Sequence, residues 1–284
     1  TVRVALRSGS PSKTRAEGLW FQVLDLSQDV FKSEHLFVVL STDQQHARIL
    51  KALTGLAPEG AAFVYAHGYS MLTENFEETH PQWDHYLLAP KAIASEVRSE
   101  YVKKGKLAAV YCAEGNARRK PQEAQALVLK LAADLGITAG PYPSSFREET
   151  MADLFSEQSL LCSLLPYGAR LSYEALRRKG ISPELAYLEC WHEVRLIAEA
   201  MLKAGPAGLF KLISPNALVG GDKARKLFFD QALGAKLEAL GKDVWDGTFF
   251  QEMRALGEHG AEDLRADIVK EWQEHEITAV HKKL

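Results

Sequence analysis

Over its first half the chain alternates short apolar runs with amphipathic stretches; after that the runs stop. Residues 2–6 ("VRVAL"), "HLFVVLS" at 35–41, "AAFVYAH" at 61–67, "HYLLAP" at 85–90 and "LAAVYC" at 107–112 predict strands. Between them, the loop "RSGSPSKT" leads into a helix-like stretch towards Glu17, and "QQHARILKAL" at 44–53 is helical. "PQEAQALVLKLAADLG" at 121–136 is an amphipathic helix closed by a glycine stop. Strands alternating with helices predict a mostly parallel sheet covered on both faces, with ligands at the carboxyl ends of its strands. From about residue 147 no strand pattern remains, and helices are expected over roughly 148–178, 183–204, 222–240, 245–257 and 260–282. The breaks fall at the Gly and Pro positions of "PYPSS", "KAGPAG" and "SPNALVGGD". The expected organisation is an α/β domain over 1–147 followed by an all-helical domain over 148–284.

Composition narrows the partners. The 284 residues are 46% apolar and 25% charged with a net charge of −3, so no basic face marks a nucleic-acid binder. No apolar run reaches membrane-spanning length, and no signal-peptide pattern opens the chain. Cys112, Cys162 and Cys190 have no metal-knuckle spacing, and an odd count implies reduced thiols and a cytoplasmic protein. Because the sequence opens directly on a strand without a methionine, further residues are expected upstream.

The chemistry begins with carboxylates in apolar helices. In "AYLECWHEV" (186–194), Glu189 and Glu193 stand four residues apart among Leu185, Leu188, Val194, Leu196 and Ile197. Like charges at that spacing repel, and desolvating them is costly, so a counter-charge is required. A second pair, Asp153 and Glu157, has the same spacing in "ADLFSEQSLLC". Either the pairs are solvated charges on exposed faces, or they converge on hard divalent cations, with Mg²⁺ the default for oxygen donors. The Glu189-x-x-His192 spacing also occurs in di-iron bundles, but the second such motif that a bundle requires is missing from any comparable long helix.

Taken in order, "ADLFSEQSLLC", "AYLECWHEVRLI" and "ISPNA" resemble the helical domain of the ketol-acid reductoisomerases, also called acetohydroxyacid isomeroreductases. "LRSGSPS" resembles that family's 2′-phosphate loop, "AHGYS" its A-H-G-F segment, "APKAIASEVRSEY" its A-P-K-G-P-G stretch, and "HEITAVHKKL" its closing helix. The resemblance implies a Rossmann-like NADPH domain and a knotted, dimer-forming helical domain. It also implies conversion of 2-acetolactate or 2-aceto-2-hydroxybutyrate to a 2,3-dihydroxy acid, by alkyl migration and hydride transfer, in branched-chain amino-acid synthesis. Carried over by position, Arg7, Ser10 and Ser12 hold the 2′-phosphate, His67 lies by nicotinamide and substrate, and Lys91 lies near the metals. On the same resemblance Asp153 would bridge two Mg²⁺ ions, with Glu157 and Glu189 completing their ligation. Glu193 acts beside them in proton transfer, and Ser214 bonds the substrate. Glu189, Glu193 and Ser214 are expected from the partner chain of an interlocked homodimer.

Four departures stand against that pattern. No G-x-G-x-x-G occurs, so the family's first strand, glycine loop and helix are absent from this sequence. Ala92-Ile93-Ala94 replaces the G-P-G after Lys91, Ser156 and Ser163 replace glycines, and Pro215 follows Ser214. Three readings follow: an active reductoisomerase, a relative with an altered substrate, or a non-catalytic assembly protein.

Overall fold

The computed structural model describes residues 1–26, 29–114 and 118–284, and the chain divides into two compact units, Thr1–Ala152 and Asp153–Leu284. In the first unit, β1 (Arg3–Leu6) and β2 (Gln22–Asp25) form a parallel pair. A five-stranded sheet follows in chain order: β3 (Leu36–Val39), β4 (Ala62–Tyr65), β5 (Asp84–Pro90), β6 (Ala108–Cys112) and β7 (Ala139–Pro143). Every pair is parallel except β5 with β6. The mostly parallel Rossmann-like sheet expected from the sequence is therefore present.

The pattern of β4 shows why its sequence is a continuous apolar run. Ala62 and Val64 face Tyr86, Leu88, Ala124 and Val128, whereas Phe63 and Tyr65 face Leu50, Leu53 and Trp83. A strand covered on both sides has no polar face to alternate with. β2 and β7 escape the sequence pattern. β7 reads "AGPYP", and proline, which cannot donate to a ladder, is tolerated there because β7 is the last strand of the sheet.

The second unit is built of helices joined by short turns, with no strand among its described residues. The stretch expected at 148–178 is helical in three consecutive segments, Phe146–Ser156, Glu157–Leu164 and Leu165–Arg178, and the middle one winds in wide i→i+5 turns. The helix expected at 183–204 breaks at Gly205 (φ 74°), then resumes to Leu212. The expected 222–240 helix is instead two, Pro215–Phe228 and Gln231–Trp245. Ser214 and Asp230 are their N-caps, accepting from the amides of Ala217 and Leu233, and an N-capping aspartate forces the division. Residues 245–257 and 260–282 resolve into Thr248–Glu274, kinked at Gly257, and Glu276–His281.

Tyr173, Ala186, Tyr187, Ile277 and Val280 form this unit's core. Tyr173 donates to Glu276 at 2.7 Å, and Arg177 grips the same carboxylate at 2.8 and 3.0 Å. Outside that core, large side chains such as Leu160, Leu161, Leu202, Phe210, Val219 and Phe228 lie exposed. No helix among the described residues is long and apolar enough to cross a membrane.

Candidate active site

β4 and β5 run in parallel register, Tyr65 beside Leu87, so the residues that leave their carboxyl ends emerge on the same side. His67 follows β4 by two residues and Lys91 follows β5 directly, its amide anchored on the Ala108 carbonyl at 2.8 Å. Between them comes Glu149, from the helix Phe146–Ser156. Lys91 Nζ donates to Glu149 Oε1 at 2.6 Å, the Gly68 amide donates to Oε2 at 2.8 Å, and His67 Nδ1 lies 3.1 Å from the carboxylate. A carboxylate only accepts, so the proton of that last bond resides on Nδ1.

The Glu149 side chain is 1% exposed. Burial pushes its carboxyl up, but the hydrogen bond and charge of His67 and the ammonium of Lys91 outweigh burial, and the net direction is down. The group is held as an anion in a buried place. Gly68 permits this closeness: a Cβ there would meet the Phe146 carbonyl at 2.5 Å and Thr150 Oγ1 at 2.6 Å.

Glu149 is not among the residues expected from sequence, although its spacing is visible there. Glu149, Asp153 and Glu157 recur every four residues in the sequence, the spacing of one helix face. Asp153 is half-buried and Glu157 exposed. Burial, chiefly, pushes the Cys162 thiol up, and the charges of Glu157 and Asp153 add to it. Glu157 opens the wide-turned segment Glu157–Leu164, and Glu189 lies within a second one, Leu188–His192. Such wide turns are uncommon and concentrate at functional sites. Nothing in the residue pattern announced them.

The two serines that replace expected glycines point back to their own helical stretch. Ser156 Oγ donates to the Asp153 carbonyl at 3.0 Å, and Ser163 Oγ donates to the Gln158 carbonyl at 2.5 Å. They satisfy carbonyl groups there. Pro215 sits at the first turn of its helix, where a missing amide proton costs nothing.

Glu193 heads the helix Glu193–Leu212, and both it and Glu189 are exposed. Neither joins Asp153 or Glu157 in any group of three or more potential ligand atoms within 4.8 Å, among the described residues. Ser214 is exposed, and its oxygen accepts from the Ala217 amide at 3.2 Å, leaving its hydroxyl proton to donate. At the carboxyl end of β1, Ser10 closes a turn onto the Arg7 carbonyl at 3.1 Å, and the Ser12 amide approaches Ser10 Oγ at 3.4 Å. Arg7 and Ser10 thus share one short loop and Ser12 opens the helix Ser12–Gly18 that follows it, with Arg7 and Ser12 exposed.

Two family models match the chain: the acetohydroxy acid isomeroreductase NADPH-binding domain over residues 1–140 and the ketol-acid reductoisomerase C-terminal domain over 146–284. The ketol-acid reductoisomerase (NADP(+)) of Helicobacter acinonychis (strain Sheeba) is 34% identical over 256 residues, covering 88% of this chain and 75% of that protein. Among solved structures, an NADH-preferring ketol-acid reductoisomerase from an uncultured archean superposes with a TM-score of 0.83 at 25% identity. That match covers 98% of this chain and 83% of the other. A pyrroline-5-carboxylate reductase from Coxiella burnetii shares the fold alone: TM-score 0.54, 15% identity, 84% of this chain and 87% of that one. With both domain models matched and a relative of this identity over most of its length, the chain belongs to the ketol-acid reductoisomerase family, a family of NADP-dependent oxidoreductases.

Proposed function

We propose that the protein is an active, cytoplasmic, NADPH- and Mg²⁺-dependent reductoisomerase. Its substrate is 2-acetolactate or 2-aceto-2-hydroxybutyrate and its product a 2,3-dihydroxy acid, made in branched-chain amino-acid synthesis. The observation that carries this reading is the buried Glu149 anion pinned by Lys91 and His67 at adjacent strand ends, with Asp153 and Glu157 on the following turns.

The donor sets suit both groups. Asp153, Glu157 and Glu189 offer hard carboxylate oxygens, the chemistry that Mg²⁺ selects, and Glu193 adds a fourth. For the dinucleotide, Arg7 offers a guanidinium fork with Ser10 and Ser12 beside it. After β3, the buried Ser41 Oγ has no hydrogen-bond partner, as a donor awaiting a ligand would. When bound, two Mg²⁺ ions supply charge at the substrate oxygens and NADPH supplies the hydride.

The remaining work falls to this chain. The migration moves an alkyl group from the hydroxyl-bearing carbon to the neighbouring carbonyl carbon. The old hydroxyl must lose its proton, and the old carbonyl oxygen must gain one. Glu193 carries that proton, and Ser214 orients the substrate through its hydroxyl. Lys91, held by Glu149, would present its ammonium where negative charge develops, and His67, held by the same carboxylate, would stand on the nicotinamide side.

We extend the proposal to assembly. The exposed apolar side chains of the second unit are more than a solitary domain keeps in water, which favours an interlocked homodimer whose partner brings Glu189, Glu193 and Ser214. Among the described residues β1 and β3 each have one unpaired edge, which favours a parallel strand between them carrying the glycine loop. Residues 1–147 would then bind NADPH, and 148–284 metal and substrate.

A second reading, the same chemistry on a different substrate, rests on Ile93, which is 72% exposed two residues after Lys91. NADPH oxidation by the full gene product, with each acetohydroxy acid in turn and with or without Mg²⁺, separates the two. Glu189→Gln is expected to abolish Mg²⁺-dependent turnover while leaving the dimer intact, and unchanged turnover would remove Glu189 from the metal site.

A further inference from the structure

One buried cluster in the first unit lies outside everything assigned above. His46, on the helix Asp43–Leu53, is 2% exposed, and Ser70, on the helix Tyr69–Glu74, is 1% exposed. His46 Nε2 lies 3.2 Å from the Ser41 carbonyl, an obligate acceptor, so that nitrogen carries the hydrogen. Nδ1 is then the acceptor, and the Ser70 hydroxyl donates to it at 2.7 Å. Burial pushes the imidazole down, against the opposing charge of Asp43, which keeps this tautomer neutral. Asp43 completes the grip: its Oδ1 accepts from the Ser70 amide at 3.2 Å. The ring also packs on Tyr65, the last residue of β4, with centroids 5.4 Å apart. One serine is therefore held twice, by its side chain and by its backbone, from a single helix.

That serine lies two residues after Gly68, whose amide binds Glu149 and which has no room to move towards the Phe146–Ser156 helix. We propose that the His46–Ser70 pair sets the position of the His67–Gly68 turn, making His46 a positioning residue for the reaction; this rests on the active-site reading above. A buried neutral imidazole suits the task because both its nitrogens are engaged in one fixed direction.

The test uses His46→Leu, Ser70→Ala, the double variant and His46→Gln, which retains one acceptor and one donor. Misplacing a reacting group by a fraction of an ångström costs rate, so each of the first two should lower kcat about tenfold while KM for NADPH changes less than about twofold. The double variant should fall no further than either single one, and Gln should recover most of the loss. The Gly68 amide proton, read by NMR, should move upfield in Ser70→Ala as its bond to Glu149 lengthens. Unchanged kcat, losses that multiply, or a Gly68 resonance that stays in place would each overturn the proposal. Should His46→Leu fail to fold, Ser70→Ala decides alone. Should the wild-type protein lack turnover, the functional reading falls, while the Gly68 resonance still decides whether the pair places the turn.

Discussion

Replacing Glu149 with glutamine removes one charge and creates a conflict that the geometry makes unavoidable. An amide offers one oxygen and one NH₂ group. The partner of Oε1 includes Lys91 and that of Oε2 is the Gly68 amide, and both are obligate donors. Whichever way the amide turns, its NH₂ faces a donor. The variant loses a charge-assisted bond of about 1.5–3 kcal/mol and buries a mismatched donor besides. Against this, the Lys91 side chain is 35% exposed and can regain water, so the cost should lie near the lower end for breaking a buried pair, about 3 kcal/mol. Hydrogen exchange at the amides of β4 and β5, which reports opening of the first unit, measures it. The sign with pH provides a second check. The folded carboxyl is shifted down from 4.5, so its stabilisation is fully present above that value and is lost as pH falls through the lower folded pKa. The gap between variant and wild type should therefore close in acid. Turnover should fall at least about 100-fold, since His67 and Lys91 lose their common anchor. An opening free energy within about 0.5 kcal/mol of wild type, well below the charged-bond value, would refute this account of the site.

His85 should make the first unit acid-sensitive before any carboxylate does. It accepts from the Tyr65 hydroxyl at 2.9 Å, and burial, chiefly, pushes it from 6.5 down to about 4. Between those values the unfolded chain binds a proton that the folded one refuses, so stability falls with falling pH, by up to about 3 kcal/mol in total. Exchange rates in His85→Gln should lose that slope, and an unchanged slope would assign it elsewhere. Gly68→Ala drives a methyl group into the Phe146 carbonyl and should cost about 2–4 kcal/mol, from overpacking and a weakened bond to Glu149. Adding Thr150→Ala should not rescue it, because the nearer obstacle is backbone.

How far the fold can be read from sequence depends on what each element is paid to hide. β4 and β5 are buried on both faces, so their apolar runs are unambiguous. β2 carries a part-exposed "QVLD" and β7 a proline-interrupted "AGPYP", and neither composition demands a sheet: the neighbouring strand decides. The same difference separates the helices. The expected end near residue 204 meets a glycine with positive φ, a local cause that sequence reveals. The division at Asp230 is hidden in the sequence because the periodicity of "KLFFDQALGAKLEAL" runs through it, and only the cap interaction with the Leu233 amide identifies the aspartate as a boundary.

The candidate site divides along a similar line. Residue type and spacing exposed Asp153, Glu157, Glu189 and Glu193, because carboxylates in apolar helices are costly and therefore conspicuous. Spacing alone could have added Glu149, one turn earlier, but there it looked like an ordinary acidic residue in the first turn of a helix. What distinguishes it is tertiary: its partners stand 58 and 82 residues away in sequence, at the ends of two strands. Buried anions are rarely legible by themselves, since the sequence records the charge and only the fold supplies the cations that make its burial tolerable. The converse holds for His46, a histidine in an amphipathic helix that sequence offers no reason to single out. Its neighbour Ser70 is as plain. Between them they hold the turn that brings Gly68 to Glu149, so the anion that the site depends on is fixed by Lys91, by His67 and by an amide that a neutral pair positions.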